Sequence, residues 1–140
     1  YHAAIGLAFM NYYLEDRINT YQDQFIEYKR LIDHYCPGSI EIFLNTSQVP
    51  VSTFNIKLKD ESELLIDDLS IQLFRDHGIE TRRWWNLPLH KHSIFSSSTS
   101  YDHLTNTNKL HQSVIGIPFG PHLNAHSQEF VVRSLSKSLP

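Results

Sequence analysis

Arg82-Arg83-Trp84-Trp85 is the densest group of chemically capable side chains in the chain and holds both of its tryptophans. Two guanidiniums beside two indoles suit an anionic ligand that carries a ring, because arginine forks onto phosphate and an aromatic face stacks on a sugar or base. The plainer reading is one tryptophan in the core and one arginine in a surface ion pair. Side chains alternate along an extended segment, so Arg83 and Trp85 share one face and Arg82 and Trp84 the other. At most half of the cluster can line one site unless the strand breaks there.

Downstream, His90-Lys91-His92 places two imidazoles on one side of an extended segment, which is half of a metal site. A metal needs further ligands, and no HExxH, paired cysteine or aspartate-rich calcium loop supplies them. Nor is there a GxSxG, a Walker loop or a GxGxxG. His2, His34, His77, His103, His111, His122 and His126 stand in no recognisable relation to a nucleophile and read as surface or turn residues. Ser96-Ser97-Ser98-Thr99-Ser100 is hydroxyl-rich but has no glycine pattern, so a loop explains it.

The elements around these residues follow from periodicity. Leu14, Ile18, Tyr21, Phe25, Tyr28, Ile32 and Tyr35 recur at steps of four and three, which predicts a helix from about Tyr12 to Tyr35. At ~1.5 Å per residue it extends about 35 Å, long enough to bridge two bodies. A seam so rich in aromatic residues is poor coiled-coil composition. Cys36-Pro37-Gly38 ends it. Ile40 to Leu44 and the alternating Phe54, Ile56 and Leu58 predict strands, with a loop from Asn45 to Pro50.

Asp60 and Glu63 have capping-box spacing before a helix with Leu65, Ile66, Leu69, Leu73 and Phe74 on one face, stopped by Gly78. Ile79 to Trp85 reads as extended, Asn86 to Tyr101 as loop and Val114 to Phe119 as a final strand. Asn124 caps a last helix carrying Phe130, Val131 and Leu135. The expected fold is α+β: a long N-terminal helix, then a small, mostly antiparallel sheet with two covering helices. The division is an interdomain helix over residues 1–35 and a small domain over 36–140.

Composition narrows the function classes. At 140 residues, 41% hydrophobic and 19% charged, the chain has enough apolar content for one folded core rather than a disordered linker. A net charge of −3 argues against a general attraction to nucleic acid or anionic lipid. No apolar run approaches the ~18 to 20 residues that span a bilayer, and the single cysteine, Cys36, fits a reducing compartment. A cytoplasmic protein without membrane or nucleic-acid partners is the expectation. The opening Tyr1-His2-Ala3-Ala4-Ile5-Gly6-Leu7-Ala8 has no initiator Met and reads as part of something longer.

One family resemblance joins these pieces. Gly78-Ile79-Glu80-Thr81-Arg82-Arg83-Trp84-Trp85, with Pro88, His90 and Phe95, resembles the C-terminal region of the DegT/DnrJ/EryC1/StrS sugar aminotransferases. The segment around Ala3-Ala4-Ile5-Gly6-Leu7 and the closing Val114-Ile115-Gly116-Ile117-Pro118-Phe119 are similar to that family too, so the likeness runs from Ala3 to about Leu135. Phe9 stands where many relatives have Gln, and Ser96 to Ser100 departs from the usual pattern. Both departures bear on substrate identity.

The resemblance implies the small domain of a fold-type I aminotransferase that uses pyridoxal phosphate to move an amino group from glutamate onto a nucleoside-diphosphate keto-deoxy sugar, working as a homodimer. Such chemistry needs a Schiff-base lysine and an acid for the pyridine nitrogen. The resemblance puts both upstream of Tyr1, so no catalytic residue is assigned here, and this chain alone is expected to be inactive. Arg83, Trp84 and His90 are the implied substrate-binding residues: Arg83 on diphosphate or a sugar hydroxyl, Trp84 on a sugar face, His90 near the reacting carbon. The alternative is a standalone carbohydrate or nucleotide binding module using the Arg82 to Trp85 loop, with a His90/His92 metal hydrolase third.

Overall fold

The computed structural model describes residues 1–42, 51–59, 66–84, 87–98 and 102–139. Helix α1 (His2–Tyr12) is followed by α2 (Leu14–Tyr35). The helix expected from about Tyr12 thus starts at Leu14, and residues 1–35 form two helical segments instead of one. Tyr13 leaves helical geometry at φ −125°, yet its N–H still donates to the Phe9 carbonyl at 2.9 Å. The chain bends there without losing its hydrogen-bond ladder.

Every residue of α1 is exposed, including Ile5, Leu7, Phe9 and Met10. In α2 the buried row is Gln24, Phe25, Tyr28, Leu31 and Ile32, while Leu14, expected on it, is 39% exposed. The sheet and α5 meet α2 only from Tyr21 onward, where its ring lies 5.4 Å from Phe119. There the Tyr28 ring lies 4.9 Å from Phe54, and its hydroxyl donates to the Pro118 carbonyl at 2.7 Å. Burial pushes the Tyr28 phenol above its ordinary range.

Strands β1 (Ile40–Ile42), β2 (Phe54–Leu58) and β3 (Val114–Ile117) make a fully antiparallel sheet in that order. Ile40 pairs with Leu58, Ile56 with Ile115, and Phe54 with Ile117. Alternation sends these residues to one face, where α2, α3 (Ile66–His77) and α5 (Ala125–Ser138) close the core over them. Asn55, Lys57, Val114 and Gly116 fall on the opposite face. The expected α+β class holds.

Several expectations need correction. Over Ile79 to Trp84 the expected extended segment is not a full strand: among the described residues Arg82 alone pairs with β3, exchanging two hydrogen bonds with Gly116 at 2.8 and 2.7 Å. Phe74 and Phe130 are 60% and 48% exposed. Each follows or precedes by one position a residue that does face the core, Leu73 or Val131, and one helical step turns a side chain by about 100°. Helix α4 (Thr105–Ser113) had no sequence signal, since Thr-Asn-Thr-Asn-Lys carries no apolar period. Asn124 caps α5 as expected, its side chain accepting from the Ser127 N–H at 2.8 Å. The Asp60/Glu63 box, Leu65, the Asn45 to Pro50 loop and Trp85 lie outside the described residues.

Cys36 is buried beside Val132, and burial pushes its thiol up to about 11, opposed only in part by a hydrogen bond from Ser136. A thiol that is neither exposed nor ionised is a poor nucleophile. Disulfide-exchange reagents at neutral pH should therefore leave Cys36 unlabelled until denaturant unfolds the chain; rapid labelling of the native protein would contradict this packing.

Candidate functional site

Where Arg82 meets Gly116, the chain is held against the sheet edge and the side chains that follow are aimed in opposite directions. Arg82 and Trp84 share a side, as alternation requires, with the guanidinium 5.5 Å from the indole centroid. Arg83 goes the other way. It ion-pairs with Asp67 at the start of α3 and donates to the His111 carbonyl in the last turn of α4 at 2.7 Å, leaving its side chain 14% exposed. A cation there complements the C-terminal end of the α4 dipole.

Trp84 is 46% exposed and lies over Gly116, where an added Cβ would stand 2.6 Å from indole Nε1. Glycine is therefore what admits the indole to the sheet. Pro88 leads into two short 3-10 turns, Leu89–Lys91 and Ser93–Phe95. Together with α4 they wall a cleft of about 700 Å³ on the sheet face opposite the core.

Trp84 and His90 both line that cleft, with Asn55 and Val114 from the sheet and Leu104 and Leu110 from the α4 region. Arg83 does not; it borders a shallower depression beside α3. Of the three residues expected to bind substrate, the structure brings two together. No lysine, arginine or carboxylate lines the cleft among the described residues, so its surface is neutral: indole, imidazole, amide and hydroxyl groups set in apolar walls. Asn55 Oδ1 is buried there without a hydrogen-bond partner among the described residues.

His90 Nε2 meets Asn108 Oδ1 at 3.1 Å, and His92 Nε2 donates to the Leu87 carbonyl at 3.0 Å. The two imidazoles of the His-x-His pair thus face different partners. Among the described residues no three histidine, cysteine or acidic side chains gather as metal ligands, and no helix is long and apolar enough to cross a membrane. Asn55, Asn108 and Gly116 went unmarked as site residues in the sequence. An asparagine in a polar run has no distinguishing pattern, and Gly116 read only as part of a strand.

Similarity to known proteins bears on the same architecture. NtdA from Bacillus subtilis, solved with its cofactor PMP bound, superposes with a TM-score of 0.76 at 21% identity over 90% of this chain and 29% of that one. The sugar aminotransferase CalS13 from Micromonospora echinospora gives 0.72 at 18% identity, covering 96% of this chain and 34% of its own. DesV of S. venezuelae, solved with a ketimine intermediate, gives 0.69 at 17% identity with the same coverages, 96% and 34%. This chain therefore spans about a third of the length of each. At such identities the likeness shows the fold. No curated protein matches the sequence. The sequence profile of the family matches residues 1–136, nearly the whole chain, and the chain belongs to the DegT/DnrJ/EryC1/StrS aminotransferase family.

Proposed function

We propose that this chain is the substrate-recognising small domain of a pyridoxal-phosphate-dependent sugar aminotransferase, which moves an amino group from glutamate to a nucleoside-diphosphate keto-deoxy sugar. The observation that carries the reading is the meeting of Trp84 and His90 in a neutral cleft of sugar size behind the Arg-Arg-Trp segment. An indole face suits the apolar side of a deoxy sugar, and imidazole and amide groups suit its hydroxyls. Arg83 is committed to Asp67 and the His111 carbonyl. Arg82, exposed and stacked on Trp84, is the better cation for the diphosphate.

The cofactor itself does not fit this cleft. A Schiff-base lysine and a carboxylate for the pyridine nitrogen are both missing from its lining among the described residues. The solved relative that carries PMP is about three times longer than the part this chain matches. The cofactor domain belongs to the remainder of a longer protein, with residues 1–35, now two helical segments, as the interdomain connection, 36–140 as the small domain and two subunits in the cytoplasm. The exposed apolar side chains of α1 support this division, since a surface bearing Ile5, Leu7 and Met10 is what a second domain would cover.

The test is to express the protein with its upstream coding sequence and follow the cofactor absorption band as glutamate is added. A bound cofactor whose band shifts with glutamate, and shifts back with a nucleoside-diphosphate keto sugar, is the expected result. A full protein that never binds the cofactor would overturn the proposal in favour of a binding module. In that case nucleoside-diphosphate affinity would reside in the 140-residue chain alone.

A further inference from the structure

The side-chain amide of Asn108 is held between two groups whose hydrogen-bonding roles are of unequal freedom. Its Nδ2 donates to the His103 carbonyl at 3.2 Å, and its Oδ1 faces His90 Nε2 at 3.1 Å. A backbone carbonyl only accepts, so the amide nitrogen must be the end that faces His103. The other end is then an oxygen, which also only accepts, and His90 Nε2 must carry a proton. The Asn108 backbone is itself fixed in α4, its N–H donating to the Leu104 carbonyl at 2.9 Å.

A neutral imidazole protonated at Nε2 keeps a lone pair at Nδ1. No hydrogen bond reaches Nδ1 among the described residues, and His90 lines the cleft. We propose that Asn108 is a positioning residue that locks His90 in its Nε2–H tautomer, so that Nδ1 is offered to the cleft as an acceptor for a ligand hydroxyl. The ligand half of this inference rests on the cleft being a sugar site; the tautomer half does not. Without the lock, rotation and tautomer exchange would present donor and acceptor by turns, and selectivity for a hydroxyl at that position would fall.

Nitrogen NMR on histidine-labelled protein tests it, in the absence of any ligand, at about pH 8.5, where ordinary imidazoles are neutral. The His90 signals, assigned by their loss in His90→Gln, should show two well-separated nitrogens, protonated Nε2 and unprotonated Nδ1. Exposed His2 and His126 provide the comparison, with tautomers in exchange and shifts averaged. Asn108→Leu should bring the His90 shifts to those averaged values, whereas Asn108→Asp, which keeps an acceptor oxygen, should leave them separated.

Averaged His90 shifts in the unaltered protein would overturn the proposal, and so would separated shifts that survive Asn108→Leu. Should Asn108→Leu fail to fold, the unaltered protein and Asn108→Asp still decide. A locked His90, in a chain whose full protein never binds the cofactor, would support the tautomer half of this inference while sinking the proposed function, so the two fail separately.

Discussion

Gln24→Leu is expected to destabilise the chain by about 3 kcal/mol, although leucine suits a helix and has nearly the same volume. Gln24 is buried on α2 and works as a clamp on the turn between β3 and α5. Its Nε2 donates to the carbonyls of Gly120 at 2.7 Å and Leu123 at 2.8 Å, and its Oε1 accepts from the Gly120 N–H at 3.3 Å. The Gln24 carbonyl in turn accepts from Gln128 Nε2 at 3.0 Å. Leucine would strand the Gly120 N–H and the Leu123 carbonyl, each costing about 1 to 3 kcal/mol when buried without a partner, while the Gly120 carbonyl would keep only the Leu123 N–H at 2.9 Å. Urea unfolding followed by circular dichroism would read the loss as a lower midpoint. Arg30→Ala, which removes only an exposed pair with Glu27, should leave the midpoint where it was. An unchanged midpoint for Gln24→Leu would mean that the clamp is not formed.

The second large effect is expected on binding rather than stability. Gly116→Val places a branched side chain where the indole of Trp84 now lies, its Cβ 2.6 Å from Nε1 and 3.1 Å from Asn55 Oδ1. The half-exposed indole can leave more easily than the strand can move, because Gly116 is held by its ladder and by Arg82. Trp84 should therefore swing into solvent. In a Trp85→Phe background its fluorescence should shift to the red, and, on the proposed function, affinity for a nucleotide sugar should fall about tenfold or more, the worth of one aromatic contact. Trp84→Ala should lose affinity to a similar degree. If Gly116→Val kept both emission and affinity, Trp84 would not be seated against the sheet.

The alternation of Phe54, Ile56 and Leu58 and the caps at Gly38, Gly78 and Asn124 were readable because they depend on a few neighbouring residues. Both glycines adopt left-handed conformations, at φ +83° and +67°, which a residue with a Cβ resists. The aromatic row of α2 was readable in its spacing but not in its extent: Leu14 repeats the period and remains exposed, because periodicity says which residues share a face and not whether anything covers it. Phe74 and Phe130 fail for the related reason that apolar character does not by itself mean burial. Helix α4 was invisible, since its polar residues fold as a helix only against the sheet and the 3-10 turns.

For the candidate site the division is sharper. By itself the sequence determined the family and the α+β class, and it singled out the segment now proposed to bear the site, because order and spacing of motif residues survive in one dimension. It also determined that Arg82 and Trp84 point one way and Arg83 the other, since strand geometry alternates. Only the tertiary structure decided which of those two directions meets the cleft. That depended on Arg82 pairing with Gly116 at the sheet edge, on Asp67 and the end of α4 claiming Arg83, and on a missing Cβ that admits Trp84. Each of these contacts joins residues distant in the chain, and the energy that selects among such contacts belongs to the packed whole.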